Sequence, residues 1–427
     1  MLALGIGILI ALLVLGVPIY LSIFVGVIFL VIYVMGVDPM VMAMVPFDKV
    51  NQFVLLAIPF FLLAGQLIAI GGAGKPLVKF LSALMGHIPG GPAYVIIVAC
   101  TIFAAMSSTS IAAIAAFGPV VVPMMLQMGY GKKFSLGLLI VASTLGPLIP
   151  PSIPLILYGV IAEQSVRTLY TAAFIPGLLL AFLLSVTVFF WSRRGHYTKP
   201  PRSSWTERWQ AFKEAWPVLL MPVVVLIPIY AGLVTPTEAS AVCAVYALLL
   251  GTVAYRQLKL RQIWQALRQT VAACAMIYFI LMAAFMLNLV LTYIRIPFEL
   301  SEALSNAGFS AGIFMLMVII AYLIMGMILD QSAILLVSVP ILLASVIAQG
   351  ISPIVYGVFA VVAIEIASVT PPYGITLFAT CGILRERFEL VARSCILFYP
   401  AVIVGFFLIA YVPQITLFLP RMLGLSV

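Results

Sequence analysis

Two carboxylates stand inside otherwise apolar stretches of this chain: Asp330 in GMILDQSAILLV and Glu365 in VVAIEIASVTPP. A charge at the centre of a bilayer costs about 2.5–3.5 kcal/mol on insertion scales, so an intramembrane acid marks an ion or proton path by default. The bland alternative for each is a helix cap or a paired neighbour. A second set of groups is uncharged. Ser107-Ser108-Thr109-Ser110 interrupts the apolar run between Pro92 and Met128, and Asp330-Gln331-Ser332 interrupts the run between Gly312 and Ala348. Hydroxyls in a membrane either let helices pack closely or ligate; four in succession at one break favour ligation. The third set is backbone. Two Pro-Pro pairs occur in STLGPLIPPS (Ser143 to Ser152) and EIASVTPPYG (Glu365 to Gly374). Proline lacks the amide hydrogen and clashes with the preceding turn, so two in a row break a helix. Unwound backbone at membrane depth survives only where protein or a water-filled cavity satisfies it. Freed carbonyls and hydroxyls suit a hard cation such as sodium, and half-helix N-termini suit an anion. No Lys or Arg falls in these segments. An anionic substrate would therefore meet helix ends, hydroxyls, amides or co-bound cations.

Composition fixes what must position these groups. The chain is 65% hydrophobic and 8% charged over 427 residues, against roughly 25% charged in soluble domains. It reads as an all-α polytopic membrane protein, since lipid tolerates no unpaired backbone. Runs such as Thr168 to Trp191 and Ser394 to Leu419 reach the roughly 20 apolar residues of a crossing, with material for about ten crossings. The N-terminus has no positive n-region or clean cleavage site and reads as mature helix; Met1 to Gly36 fits one long tilted helix or two short ones. The five cysteines and two histidines show no metal-ligand spacing. The net charge of +9 lies largely in connecting loops, which speaks of topology in a bilayer and not of nucleic acid.

The punctuation residues repeat. One fixed, gapless offset lays Pro119, Gly129, Pro150 and Pro151 on Pro340, Gly350, Pro371 and Pro372, with Gly91, Met106, Ala112, Val141 and Ala142 on Gly312, Met327, Ala333, Val362 and Ala363. A shared pattern of helix breakers implies a shared shape. Loop charges set the orientation. Lys132 and Lys133 follow the first Gly turn where the second copy has Pro353 and Ile354, whereas Arg385, Arg387 and Arg393 follow the second Pro-Pro segment and the first is followed by EQSVR. By the positive-inside rule the copies are inverted, each with a re-entrant hairpin and a broken helix. Arg193, Arg194, Lys199, Arg202, Arg208 and Lys213 mark one cytoplasmic connection, and Arg256, Lys259, Arg261 and Arg268 another. Thr235-Pro236-Thr237-Glu238 then lies on the far side.

The order of an SSTS hairpin, GPLIPPS, a central TPTEASA, a second hairpin with Asp, and SVTPPYG resembles the large membrane subunit of tripartite ATP-independent periplasmic (TRAP) transporters, the DctM-like proteins, over nearly the whole chain. The resemblance implies an elevator-type secondary transporter that couples import of a small organic acid to Na+. It implies a DctQ-like small four-helix membrane subunit and a DctP-like periplasmic binding protein as partners, in the bacterial inner membrane. Carried over by position, the first sodium site would take Ser107, Ser108 and Ser110 with backbone near Gly146 and Pro150. The second would take Asp330 with backbone or hydroxyls near Ser368, Thr370 and Pro371. Substrate would lie between the two tips, with Thr109, Ser152, Gln331, Ser332, Pro372 and Gly374 as its contacts. Glu238 would be structural or partner-facing, and the small subunit would be a separate polypeptide. The domain reading is scaffold helices over 1–88, a first transport repeat over 89–168, central scaffold and basic loops over 169–308, a second repeat over 309–393 and a C-terminal helix over 394–427.

Three readings compete, one of them a passive channel or purely structural subunit. A stand-alone sodium- or proton-coupled dicarboxylate carrier keeps the fold without the partners. An intramembrane enzyme would need HExxH, a Ser/His pair or paired aspartates at protease-like spacing, and none of these occurs.

Overall fold

The computed structural model describes residues 2–36, 39–195, 197–198, 200–326 and 329–427, and every regular element among them is a helix. Eight of these helices are long and apolar enough to cross a membrane, fewer than the expected ten or so. The difference lies in helices that are apolar but short: Gly91–Ala104, Ala311–Gly326, Pro353–Ser368 and Ile375–Leu384. These are hairpin arms or halves of broken helices, and none spans the hydrocarbon core alone.

Hairpin 1 comprises Gly91–Ala104 and Ser110–Gln127, and hairpin 2 comprises Ala311–Gly326 and Gln331–Ala348. Each second arm begins at a side-chain cap that satisfies an otherwise orphaned amide. Thr109 Oγ1 accepts from the Ala112 amide at 3.3 Å, and Asp330 Oδ2 accepts from the Ser332 amide at 3.0 Å. These two caps occupy equivalent positions under the offset.

The first broken helix runs Lys132–Ser143, continues as Leu145–Leu148, unwinds over 149–152 and resumes as Ile153–Ile161 with a 41° bend. The second runs Pro353–Ser368, unwinds over 369–374 and resumes as Ile375–Leu384. Both Pro-Pro peptide bonds are cis. The leading halves form the centre of the molecule: every residue from Phe134 to Ser143 and from Ile354 to Ser368 is buried. Between helices in lipid there is little hydrophobic drive, and association rests on close packing of small residues. A Cβ at Gly326 would collide with that of Ala367, and one at Gly137 with the Ser394 carbonyl, so these contacts bring helix backbones nearly together.

The two sets of hairpin and broken helix interlock. The second arm of hairpin 1 packs along Lys132–Ser143 and against Ile375–Leu384, while the second arm of hairpin 2 packs along Pro353–Ser368 and against Ile153–Ile161. Lys132 Nζ sits 2.7 Å from Glu386 Oε1, joining the start of the first broken helix to the segment after the second. Tyr158 OH donates to the Pro353 carbonyl at 2.5 Å, joining the end of the first to the start of the second. Hairpin 2 is further pinned by buried hydroxyls that the sequence did not single out: Tyr322 OH lies 2.5 Å from Tyr356 OH and 3.1 Å from Ser338 Oγ.

Further helices pack on one another outside this unit. Ala57–Ile70 packs on Pro236–Leu249, Gly74–Met85 on Trp205–Ala231, and Leu260–Tyr293 on Ile19–Leu30. The WTERWQ sequence forms the first turns of Trp205–Ala231, opened by a capping box between Ser204 and Glu207. The N-terminal segment is two short helices, Leu2–Val14 and Ile19–Leu30, packed on each other after a turn at Gly16, whose φ is 79°. The C-terminal 394–427 segment is not one helix. A helical run from Phe388 reaches Tyr411, and Pro413–Met422 is separate, because Pro413 has no amide hydrogen to continue the ladder and is tolerated at a helix start.

Candidate functional site

At the tip of hairpin 1 the backbone unwinds over 105–109, and the loop closes on the break of the first broken helix. Ser108 Oγ donates to the Pro151 carbonyl at 2.7 Å. That carbonyl lies one residue beyond Pro150, whose backbone the resemblance named for the first sodium site. Gly146 packs close to the tip: a Cβ at that position would sit 3.3 Å from the Thr109 carbonyl oxygen and 3.5 Å from that of Ser107. Ser107, Ser108 and Ser110 are all buried. The Ser107 hydroxyl has no hydrogen-bond partner. It lies against the long helix Ala57–Ile70, where a Cβ at Gly65 would come 2.7 Å from Ser107 Oγ.

Ser110 reaches across to the other half of the chain, its Oγ donating to Glu365 Oε2 at 3.1 Å. Glu365 is 3% exposed, and its second oxygen, Oε1, has no partner. The structure therefore places two unpartnered buried oxygens, Ser107 Oγ and Glu365 Oε1, around one tip. Buried polar atoms are paired in the great majority of cases, and both oxygens here are free to accept a further partner.

The break itself is fully engaged. Ser152 is buried; its hydroxyl donates to the Pro147 carbonyl and accepts from the Leu155 amide at 3.3 Å, and its carbonyl accepts from Tyr170 OH at 3.3 Å. Thr109 caps the second arm. Of the expected substrate contacts, these two are the ones already occupied by caps.

The second tip is more open. Asp330 is half-buried at the start of Gln331–Ala348, followed by Gln331 and Ser332, also half-buried. Ser368 Oγ donates to the Glu365 carbonyl at 2.8 Å and lies 3.1 Å from Thr376 Oγ1, bridging the second break. Thr370 Oγ1 donates to the Ile366 carbonyl at 2.7 Å, and the Val369 carbonyl accepts from Tyr399 OH at 2.8 Å. Gly374 has φ of +55°, and a Cβ there would come within 2.9 Å of the Ser368 carbonyl, so the tight return of the chain needs glycine. Pro371 is half-buried, and Pro372 and Tyr373 are exposed, in contrast to the buried Pro150 and Pro151. Among the described residues no hydrogen bond joins Asp330 to Ser368, Thr370 or Pro371.

The donors gathered at both tips are hydroxyls, carbonyls and carboxylates. Among the described residues no cluster of three or more His, Cys, Asp or Glu side chains forms. This set matches a hard cation bound by oxygen and not a thiolate or imidazole metal. The link from Ser110 to Glu365 was not readable in the sequence, although a lone acid in an apolar helix flagged the residue. Glu238 serves as the helix-capping partner of Thr235, accepting from its amide at 2.7 Å and its hydroxyl at 2.9 Å.

Broken helices and hairpins wrapped by long apolar helices define a polytopic membrane transporter fold. The same fold occurs in the Alcanivorax borkumensis YdaH transporter, with a TM-score of 0.57 and 13% identity over 83% of this chain and 85% of that one. It occurs also in Neisseria gonorrhoeae MtrF, with a TM-score of 0.58 and 12% identity over 87% and 82%. Residues 6–415 match the tripartite ATP-independent periplasmic transporter family, DctM component, and the chain belongs to that family. It is 34% identical to the C4-dicarboxylate TRAP transporter large permease protein DctM of Rhodobacter capsulatus over 98% of each chain. To the protein of the same name from Pseudomonas aeruginosa it is 37% identical over 89% of each. To the 2,3-diketo-L-gulonate TRAP transporter large permease protein YiaN of Escherichia coli it is 32% identical over 84% of each. The chain is a large permease subunit, and the intramembrane-enzyme reading falls.

Proposed function

We propose that this permease imports a small organic acid across the bacterial inner membrane, driven by co-transported sodium. The observation that carries the reading is the closed first tip, where Ser108 holds the Pro151 carbonyl while Ser107 Oγ and Glu365 Oε1 remain buried and unpartnered. Oxygen atoms prepaid in this way suit a cation that must shed its water. Sodium at the first tip would use Ser107, Ser108, Ser110 and backbone near Gly146 and Pro150; sodium at the second would use Asp330 with Ser368, Thr370 and Pro371. The substrate would lie between, toward the open side lined by Gln331, Ser332, Pro372 and Gly374, with Thr109 and Ser152 behind it. Relatives named for C4-dicarboxylates and for 2,3-diketo-L-gulonate support the organic-acid class. The tripartite family supports a small membrane subunit and a periplasmic binding protein as partners.

The hairpins and broken helices would form the mobile unit, as two inverted copies moving against the long helices. Support for inversion comes from the end-to-start contacts of the broken helices at Lys132–Glu386 and Tyr158–Pro353. Cysteines placed at Lys132 and Gly350 are expected to react with impermeant reagents from opposite faces, and cysteines at Lys132 and Glu386 from the same face. Labelling of Lys132 and Gly350 positions from one face refutes the inversion.

The function is tested in proteoliposomes holding the permease and its small subunit, supplied with the binding protein and a radiolabelled C4-dicarboxylate. Uptake is expected only with an inward sodium gradient and all three components. Equal uptake with potassium, or with the permease alone, overturns the corresponding part of the reading.

A further inference from the structure

Glu365 has no structural reason to be an acid. The fixed offset places Thr144 at the equivalent point of the first broken helix, and there a hydroxyl bonded at 2.7 Å to the Val141 carbonyl satisfies the same position. In the second copy the position holds a carboxylate that is 3% exposed, on a helix buried along its whole inner length. It accepts one hydrogen bond, from Ser110, and its Oε1 accepts none. No Lys, Arg or His pairs with it among the described residues. The charged group within electrostatic reach is Asp330 of hairpin 2, which has the same sign.

A buried carboxylate without a counter-charge is costly by several kcal/mol, and such groups are paired or bind cations. Two acids near one another raise that cost. The group that would remove it is a cation held next to Ser110, and Ser110 is itself one of the residues assigned to the first sodium site. We propose that Glu365 is a ligand of the cation bound at the first tip, presenting Oε1 to it. A site otherwise built from hydroxyls and carbonyls of the first half thus draws its formal charge from the second.

Two consequences distinguish this from a merely structural acid. The cation would join hairpin 1 to the second broken helix, so occupancy would lock the two halves together. Glu365 would also lie within electrostatic reach of Asp330, so that a cation at one tip changes the potential at the other and couples binding at the two. The inference rests on the sodium reading above.

The test is thermal stability of the purified permease, with its small subunit where the two co-purify, titrated with sodium chloride at constant ionic strength balanced by potassium chloride. Wild type, Glu365→Gln, Glu365→Asp and Ser110→Ala are compared. Glu365→Gln is expected to raise half-saturating sodium by about tenfold or more, the loss of one charge-assisted contact. Ser110→Ala, which leaves the carboxylate in place, is expected to weaken sodium binding less. Should Glu365→Gln not fold, Glu365→Asp is read instead, and it is expected to shift half-saturation while melting like wild type without sodium. A folded Glu365→Gln, or Glu365→Asp in its place, with wild-type half-saturation overturns the proposal. So does a variant whose pH dependence alone changes, since the group then carries a proton. A wild type indifferent to sodium fails the transport reading itself, which separates the two failures.

Discussion

Replacing both Pro150 and Pro151 by alanine is expected to lower uptake by more than about 100-fold while leaving the protein folded. Interior proline disfavours helix by ~3 kcal/mol relative to alanine, and a bias of that size exceeds a factor of about 100 in the population of broken and continuous forms. With two alanines the segment from Leu145–Leu148 to Ile153–Ile161 would run on as helix. Its carbonyls would turn into the i to i−4 ladder, and the Pro151 carbonyl would leave Ser108 Oγ, which it now meets at 2.7 Å. The tip of hairpin 1 would lose its seat, and Ser107 and Ser110 with it. Initial uptake rates normalised to permease content check this, alongside the melting temperature, which is expected to hold or rise because helix is gained. Wild-type uptake in the double variant means that the break is incidental to transport.

Asp330→Asn is the second large effect, and its value lies in what it leaves untouched. Asp330 caps the second arm of hairpin 2 by accepting from the Ser332 amide at 3.0 Å, and asparagine caps as well as aspartate does. The helix therefore keeps its start, and only the formal charge is lost. Half-saturating sodium for uptake is expected to rise by about tenfold or more, the scale of one charge-assisted contact, with little change in melting temperature in the absence of sodium. Unchanged sodium dependence reduces Asp330 to a helix cap, the bland reading it carried from the start.

Much of this arrangement is legible in the sequence because its signals are local. Pro150-Pro151 and Pro371-Pro372 break helices wherever they stand, and both breaks fall there. The SSTS run and Asp330-Gln331-Ser332 interrupt apolar runs, and each interruption is a hairpin tip followed by a capped arm. Three features lay beyond that reading, each for a physical reason. Ser110 and Glu365 are 255 residues apart, and no periodicity or spacing encodes a contact between segments so distant. Ser152 looked available to a ligand, yet its hydroxyl is spent on Pro147 and Leu155, because a serine at a helix start is captured by the nearest orphan amide. The C-terminal apolar run looked like one crossing, but hydropathy does not register the single missing amide of Pro413. The inequality of the tips, buried Pro150 against exposed Pro372, is likewise a product of packing.

The central claim is that these tips bind sodium. Its most direct test is the melting temperature of the purified wild-type permease as sodium replaces potassium at constant ionic strength, which needs no knowledge of the substrate. A ligand that binds only the folded state stabilises it by RT ln(1 + L/Kd), where L is its free concentration, and this keeps growing as L rises. The account predicts a sodium-specific rise that sets in near the dissociation constant and continues with the logarithm of sodium concentration. Superimposable melting curves in sodium and potassium, from a sample that melts cooperatively, would contradict it.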